Sequence, residues 1–334
     1  MTYPLPYESY ERVALCGDGI AQVVKLMHRF SWSDPTAYMM VVDFEVPEAF
    51  HDHLDFAPVC KMQPRLEDLS AYHQHLHKDF GGASSKKVVP FLGIHHESRR
   101  HIALLKFYVE EMGCRLLKVH RIWRFSHVPW LRCFMKQQTD KRAASTDEVV
   151  RNTLKLGPNS VYGMLLQNKG NYKNTHLHTN ITAWERANCN PRTKDWDILD
   201  MSEDGFLGLV DLAKPTGNVL DTPRFAGWAV LEISKLTMYR AYYGFFKRTH
   251  GDSVTLVMTD TDSMILHIRS PTWPVEMMQK ANEDPHRSLS FDMSKVFGRC
   301  QHKGKLGCFK VEEGPNIIHA GVFLMTNMYA LDQR

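Results

Sequence analysis

The chain has 334 residues, of which 43% are hydrophobic, and a formal net charge of +4. That is enough for two or three subdomains around ordinary cores, and too little charge to demand nucleic acid by itself. Its seven cysteines, at 16, 60, 114, 133, 189, 300 and 308, contain no Cys-x-x-Cys pair, which argues against a zinc ribbon and for a reducing intracellular compartment, nucleus or cytoplasm. No apolar run approaches the roughly twenty residues that span a bilayer. The first residues lack a signal-peptide pattern, so no membrane partner is expected.

Residues 1–16 read as the edge of a strand region. Apolar spacing predicts a helix over 20–30 and a strand over 38–44, which Pro47 ends. The stretch 52–90, rich in His, Pro, Gly and Ser, reads as a loop with a short helix over 66–77. Ile102, Leu105 and Val109 restore helical spacing, and Gly113 stops it before a strand over 114–125. A polar helix over 140–151 leads into Lys155-Leu156-Gly157-Pro158-Asn159-Ser160-Val161-Tyr162-Gly163. Residues 205–223, with several Gly and Pro, read as a linker. Thr222 and Pro223 then start a helix, as N-cap and first-turn proline. Residues 254–258 and 264–268 alternate as the strands of a hairpin, with Asp260-Thr261-Asp262-Ser263 at its tip. The apolar stripe of the helix, Phe225, Trp228, Ala229, Ile233, Leu236, Tyr239 and Tyr243, is expected to lie beneath that hairpin.

Two segments carry chemistry. Positions two apart on a strand face the same way, so Asp260 and Asp262 can project into one small volume. Such a pair repels itself unless a proton or a hard divalent cation relieves it. A plain polar turn, rich in Asp and Ser, is the alternative. Around Lys155 the residue types suit a nucleoside triphosphate: an ammonium for phosphate oxygens, the amide and hydroxyl of Asn159 and Ser160 as donors, and the Tyr162 ring for a base. Gly163 lets a ligand approach the backbone closely. A helix running into a turn is the alternative there. The histidine runs His51/His53, His73/His75/His77 and His95/His96, and Cys300/His302/Cys308, lack zinc-ligand spacing and are expected to be structural or solvated.

As an ordered pair, Lys155-x-x-x-Asn159-Ser160-x-Tyr162-Gly163 and Asp260-Thr261-Asp262-Ser263 resemble motifs B and C of the type B DNA polymerases. The likeness is to the protein-primed branch of adenoviruses, small phages, linear organellar plasmids and Polinton/Maverick-type elements. Phe44-Glu45-Val46-Pro47-Glu48, Lys118-Val119-His120-Arg121 leading to Pro129-Trp130-Leu131, and 233–239 extend it over most of the chain. The resemblance implies an α+β fold: a right-hand polymerase palm, an antiparallel sheet backed by helices, with a short helical fingers subdomain. Residues 1–16 would be the trailing edge of motif A. Residues 17–137 would be palm and the insertion between motifs A and B, 138–180 the fingers, and 181–334 palm with motif C, ending at or before the thumb.

The resemblance also implies roles. Asp262 is the principal metal ligand, with Asp260 tuning the site, and two Mg²⁺ ions are the cofactor, with Mn²⁺ able to substitute. Lys155, Asn159, Tyr162 and Gly163 meet the incoming nucleotide, with Lys141 and Arg142 adding phosphate contacts. Lys310, Asn327 and Tyr329 correspond to a region that holds the primer strand, although Asn327 stands where the family has lysine. Pro158 sits where the family has helix formers, and an interior proline costs roughly 3 kcal/mol and bends a helix. The implied partners are primer-template DNA, dNTPs and a terminal priming protein. The motif A aspartate would precede residue 1, so residues 1–334 alone are expected to extend no primer. The runner-up is an inactive, element-derived relic that keeps the palm fold and binds nucleic acid without synthesising it.

Overall fold

A computed structural model of the chain describes all residues except 64, 82–85, 170–171, 203–204, 214–220, 271–273, 284–288, 299–301, 313–317, 326–327 and 334. The fold is mixed, with antiparallel sheets and helices, and divides into two compact units, Met1–Leu154 with Ala229–Arg334, and Lys155–Trp228.

In chain order the first unit runs β1 (Leu5–Val13), α1 (Gly19–Arg29), β2 (Thr36–Glu45), β3 (Val59–Met62), α2 (Ala71–Phe80), β4 (Lys87–Pro90), β5 (Ile94–His101), α3 (Ile102–Glu110), β6 (Arg115–Val128) and α4 (Arg132–Ala144). Four strands form one antiparallel sheet in the order β1-β6-β2-β5. β2 is central, and its near-continuous apolar run reflects burial on both faces. Met40, Val42 and Phe44 on one face are fully buried with Val23 and Met27 of α1 and Leu104, Leu105 and Tyr108 of α3. The Asp18 carboxylate caps α1 by accepting the Ile20 N–H at 2.9 Å, and His101 Nδ1 caps α3 by accepting the Ala103 N–H at 3.2 Å. Gly113 ends this region at φ 70°, against the Phe50 ring, where a side chain would fit neither backbone nor space.

The helix expected over 66–77 is divided: a 3₁₀ turn at Leu66–Asp68 precedes α2, which starts at Ala71 because the Ser70 hydroxyl accepts the His73 N–H. The surrounding loop also holds a small hairpin, β3 with β4.

α5 (Glu148–Leu166) leads into the second unit, which holds β7 (Lys173–His178), α6 (Ile181–Asn188), β8 (Thr193–Ser202) and β9 (Gly205–Ala213). The expectation of a linker from 205 is corrected here. Residues Gly205–Ala213 are the central strand of a three-stranded sheet, β7-β9-β8. Gly208 looked like punctuation, but it lies under the Trp184 indole of α6, where a Cβ would come within 2.4 Å of the ring. The glycine is there for packing, and the indole N–H donates to the Leu209 carbonyl at 3.2 Å.

The chain returns along α7 (Arg224–Ala241), a π-helical turn at Tyr242–Lys247 and the short α8 (Arg248–His250). Hairpin strands β10 (Val254–Asp260) and β11 (Ser263–Ile268) follow, then α9 (Pro274–Glu283), β12 (Phe291–Asp292), α10 (Ser294–Phe297), β13 (Phe309–Lys310) and the hairpin β14 (Ile318–Met325) and β15 (Met328–Gln333). The apolar stripe of α7 was expected beneath β10 and β11. Its Leu236 and Tyr239 instead belong to the core of the four-stranded sheet, and the hairpin is packed by Tyr242, Phe245 and Phe246 of the π-helical turn. A π turn shifts the helix face, so one continuous stripe serves two cores. Among the described residues no helix is long and apolar enough to cross a membrane.

One buried ion pair ties sheet to helix. The Arg100 guanidinium on β5 lies 3.4 Å from Glu232 of α7 and donates to the Val59 carbonyl, with the Tyr108 ring 5.9 Å below it. The second Glu232 oxygen accepts the His101 backbone N–H at 3.1 Å.

Burial holds the neighbouring His101 and His95 imidazoles down to about 3 and about 4. Both groups are depressed below the unfolded value near 6.5, so their contribution is fully present above about pH 6.5 and is lost as pH falls toward the folded values. Each adds a slope of up to about 1.4 kcal/mol per pH unit. Urea unfolding at pH 7, 6 and 5 should show stability falling with pH. His101→Asn, which keeps a capping side chain and removes one titration, should make that slope shallower.

Candidate functional site

Asp260 ends β10 and pairs with Ser263, which begins β11, leaving Thr261 and Asp262 as the turn. The Asp262 N–H donates to the Asp260 carbonyl at 2.6 Å, and Thr261 between them has φ 51°. A β-branched residue in that region is strained by on the order of 1–3 kcal/mol. Two local bonds oppose the strain: the Thr261 hydroxyl donates to the Asp260 carboxylate at 3.0 Å, and the Ser263 hydroxyl to the Asp260 carbonyl at 3.1 Å. The two aspartates therefore do not share a strand face, as the period-two reading expected, because the chain reverses between them. Asp260 is half-buried and locally bonded, whereas Asp262 is exposed and its carboxylate has no hydrogen-bond partner among the described residues.

The base of β10 is anchored from elsewhere. The Asp55 carboxylate accepts the Leu256 N–H at 3.3 Å and the Tyr242 hydroxyl, and lies 3.8 Å from Lys247 Nζ. The loop around Asp55 is held by two more tyrosines. Tyr239 donates to the Ala57 carbonyl at 2.9 Å, while the Tyr243 hydroxyl donates to the Phe56 carbonyl at 2.9 Å and accepts the Phe56 N–H at 3.0 Å. Burial pushes Tyr239 up to about 12. Burial, reinforced by Asp55, raises Tyr242 further, so both remain donors. Sequence reading passed over Asp55 as part of a polar loop. A signal existed in Tyr239, Tyr242 and Tyr243, which share one helix face and, when buried, need acceptors.

In the second unit, Lys155, Asn159, Tyr162 and Gly163 lie on α5 at i, i+4, i+7 and i+8, which is one helix face. Lys155 and Asn159 are exposed, and Tyr162 is half-buried, with burial raising its phenol. The helix runs continuously through Pro158, so the segment does not run into a turn before Leu166. The proline withholds a donor from the Leu154 carbonyl. A Cβ on Gly163 would meet nothing within 4 Å, so no neighbour requires the glycine.

Lys141 and Arg142 were expected to begin the helix before this segment. They occupy the last turn of α4, and a new helix begins after Asp147, whose carboxylate accepts the Val149 N–H at 2.8 Å. Cations at a helix C-terminus complement the helix dipole, which accounts for both residues locally. Lys310 on β13 lies 3.6 Å from Glu312, which Lys295 holds more tightly at 2.7 Å. The Tyr329 ring lies against Phe323 with centroids 6.0 Å apart. Asn327 lies outside the described residues.

Hard carboxylate oxygens at the hairpin tip fit a divalent cation in ligand type, and the exposed, unpartnered Asp262 leaves them accessible. Among the described residues no group of three His, Cys, Asp or Glu side chains gathers to complete such a site.

No family model matches the chain, and neither does any curated protein sequence. Among solved structures it is similar to Phi29 DNA polymerase in an orthorhombic crystal form, with 14% identity and a TM-score of 0.41 over 82% of this chain. The same polymerase complexed with primer-template DNA and incoming nucleotide substrates gives 14% identity and a TM-score of 0.40 over 83% of this chain. In both, this chain covers 37% of the polymerase's length.

Asp55→Ala should leave the Leu256 N–H and the Tyr242 hydroxyl without their shared acceptor, at a cost of about 1–3 kcal/mol. Amide hydrogen exchange followed by mass spectrometry should show faster exchange across β10 than across β2. Uniform loosening of both strands, or none, would contradict the anchoring role.

Proposed function

We propose that this chain carries palm and fingers residues of a template-directed DNA polymerase of the protein-primed type B class, acting on primer-template DNA and dNTPs in replication of a virus or mobile element. The observation that carries the reading is the Asp260-Thr261-Asp262-Ser263 hairpin tip, with Asp262 exposed and without a hydrogen-bond partner among the described residues, preceded in the chain by a helix face of Lys155, Asn159, Tyr162 and Gly163. The reaction is attack of a primer 3′-oxygen on the α-phosphorus of a dNTP, with pyrophosphate leaving. Bound Mg²⁺, two ions in this class of chemistry, would lower the pKa of the 3′-hydroxyl and neutralise the leaving pyrophosphate.

In this reading Asp262 is the direct ligand and Asp260, engaged with Thr261, orients the turn and adds negative charge. Lys155 places a positive charge on the triphosphate, and Asn159 and Tyr162 border the base pair. Gly163 keeps that border open: its position calls for no glycine on packing grounds, and glycine costs about 1 kcal/mol in a helix interior. A terminal protein that supplies the priming hydroxyl belongs to the same proposal. The absence of a third carboxylate near the tip among the described residues favours a second reading, an element-derived relic that binds nucleic acid without synthesis.

The deciding experiment uses the full-length natural protein, assayed for single-nucleotide incorporation with Mg²⁺ or Mn²⁺. Asp262→Asn should abolish extension, by roughly a thousandfold or more if a direct ligand is lost. Asp260→Asn should retain part of it with altered metal preference. Equal and mild effects would remove the catalytic reading and leave the relic.

The helix face has its own test in the same assay. Lys155→Ala should raise the KM for dNTP with little change in DNA affinity. Gly163→Ala should match or exceed the parent in stability, by up to about 1 kcal/mol, while slowing incorporation. Unchanged kinetics in both variants would make this face an ordinary solvated one.

A further inference from the structure

The Lys118-to-Arg121 stretch has no part in the chemistry above, yet it lies on a built surface. Helices α1 and α3, together with Leu236 and Tyr239 of α7, join the core on the Met40, Val42 and Phe44 face of the four-stranded sheet. The opposite face carries Met39, Val41 and Asp43 on β2. On that side the cross-strand registers place Arg99 of β5 and Arg121 of β6 directly opposite Val41, one on each flank. The next pair along places Trp123 of β6 opposite Met39, and Arg12 of β1 opposite Trp123. Lys118 stands opposite Asp43.

Arg12, Arg99, Lys118 and Arg121 are exposed, and none has an ion-pair partner among the described residues. Val41 between the two arginines is only 2% exposed, which fits arginine stems lying along the sheet with their guanidinium heads in water. The one carboxylate in these registers, Asp43, is already engaged. It accepts His120 Nε2 at 2.8 Å and the Glu97 N–H at 2.7 Å, and its pKa is lowered despite burial by those bonds and by the charges of His120 and His96. Aromatic rings accompany the cations: Trp123 is half-buried, and Tyr10 on β1 is 40% exposed with its ring 6.2 Å from Phe125. At one end Trp32 stacks over His101 at 5.5 Å and 10°, which closes the face there.

We propose that this sheet face binds single-stranded nucleic acid, with Arg12, Arg99 and Arg121 on phosphates and Trp123 against a base. Arg99 and Arg121 stand two strand spacings apart, about 10 Å, and guanidinium groups in a fixed row suit a run of phosphates. Aromatic faces beside such a row accept unstacked bases of any sequence, which a duplex does not offer. The proposal rests on the nucleic-acid part of the proposed function and is independent of its metal chemistry.

The test is fluorescence anisotropy of the 334-residue chain with a labelled oligothymidylate across a series of NaCl concentrations. Arg99→Ala with Arg121→Ala should weaken binding and reduce the slope of log K against log salt by about 1.4, from about 0.7 per phosphate contact on a single strand. Trp123→Ala should weaken binding on the order of tenfold with the slope kept. Arg12→Ala, at the exposed strand β1, should lower the slope by about half as much as the double variant, and so reads the same face if the double variant is unstable. Binding is read without dNTP or divalent cation, so loss of polymerase activity and loss of this surface are separate results. No binding by the parent chain, or an unchanged slope in the folded double variant, would overturn the proposal. So would equal affinity for a matching duplex, or displacement of the oligonucleotide by polyglutamate of equal charge, the second pointing to an acidic protein partner.

Discussion

The Arg100–Glu232 pair is the constraint on which the first unit depends. Strand β5 is at the edge of its sheet, and α7 belongs to a segment more than one hundred residues later. Their charges meet in an almost dry environment, with the guanidinium 9% and the carboxylate 2% exposed. Removing one partner of a buried pair typically costs about 3–5 kcal/mol, because the other charge is left uncompensated. Further polar groups join the same arrangement: Lys235 reaches the Glu232 oxygen at 2.6 Å, the His101 N–H donates to the other, and the Val59 carbonyl accepts from Arg100. Ion pairs of this kind rarely exceed an apolar alternative in stability, but they tolerate few other registers. The pair thereby sets how far along α7 the sheet sits.

From that register the rest of the hairpin's placement follows. Once Glu232 is fixed, Tyr239 stands about two turns further along the same helix face, and the π-helical turn brings Tyr242 and Tyr243 round to the loop at Asp55. Three buried phenols would each be costly without an acceptor, and the loop supplies one to each. The same carboxylate that satisfies Tyr242 holds the Leu256 N–H of β10. A strained turn at Thr261 thus stands on a strand pinned five residues earlier, at Leu256, which keeps Asp262 presented outward while Asp260 turns back on its own turn.

Much of this is legible in the sequence. The strand over 38–44, the helices over 20–30 and 102–109 and the hairpin around 260–263 all appear within a few residues of their expected bounds. Periodicity announces each of them, and Gly113, expected to stop the helix over 102–109, does so at φ 70°. What misled were residues with two meanings. Gly208 reads as a break but lies inside a central strand because an indole covers it. Lys141 and Arg142 read as helix-opening cations but close a helix, because Asp147 caps the next one.

By itself the amino-acid sequence determined the local elements, the order of the two polar segments and the chemical character of each, because periodicity, capping and turn chemistry act over a few residues. Tertiary structure alone decided that the two aspartates part at a turn instead of sharing a strand face, that Asp55 anchors their strand, and that Arg12, Arg99 and Arg121 stand on one face. Those outcomes depend on which strands pair and on how a distant helix is registered. They are set by burial and ion pairing between residues far apart in the chain, which no local pattern records.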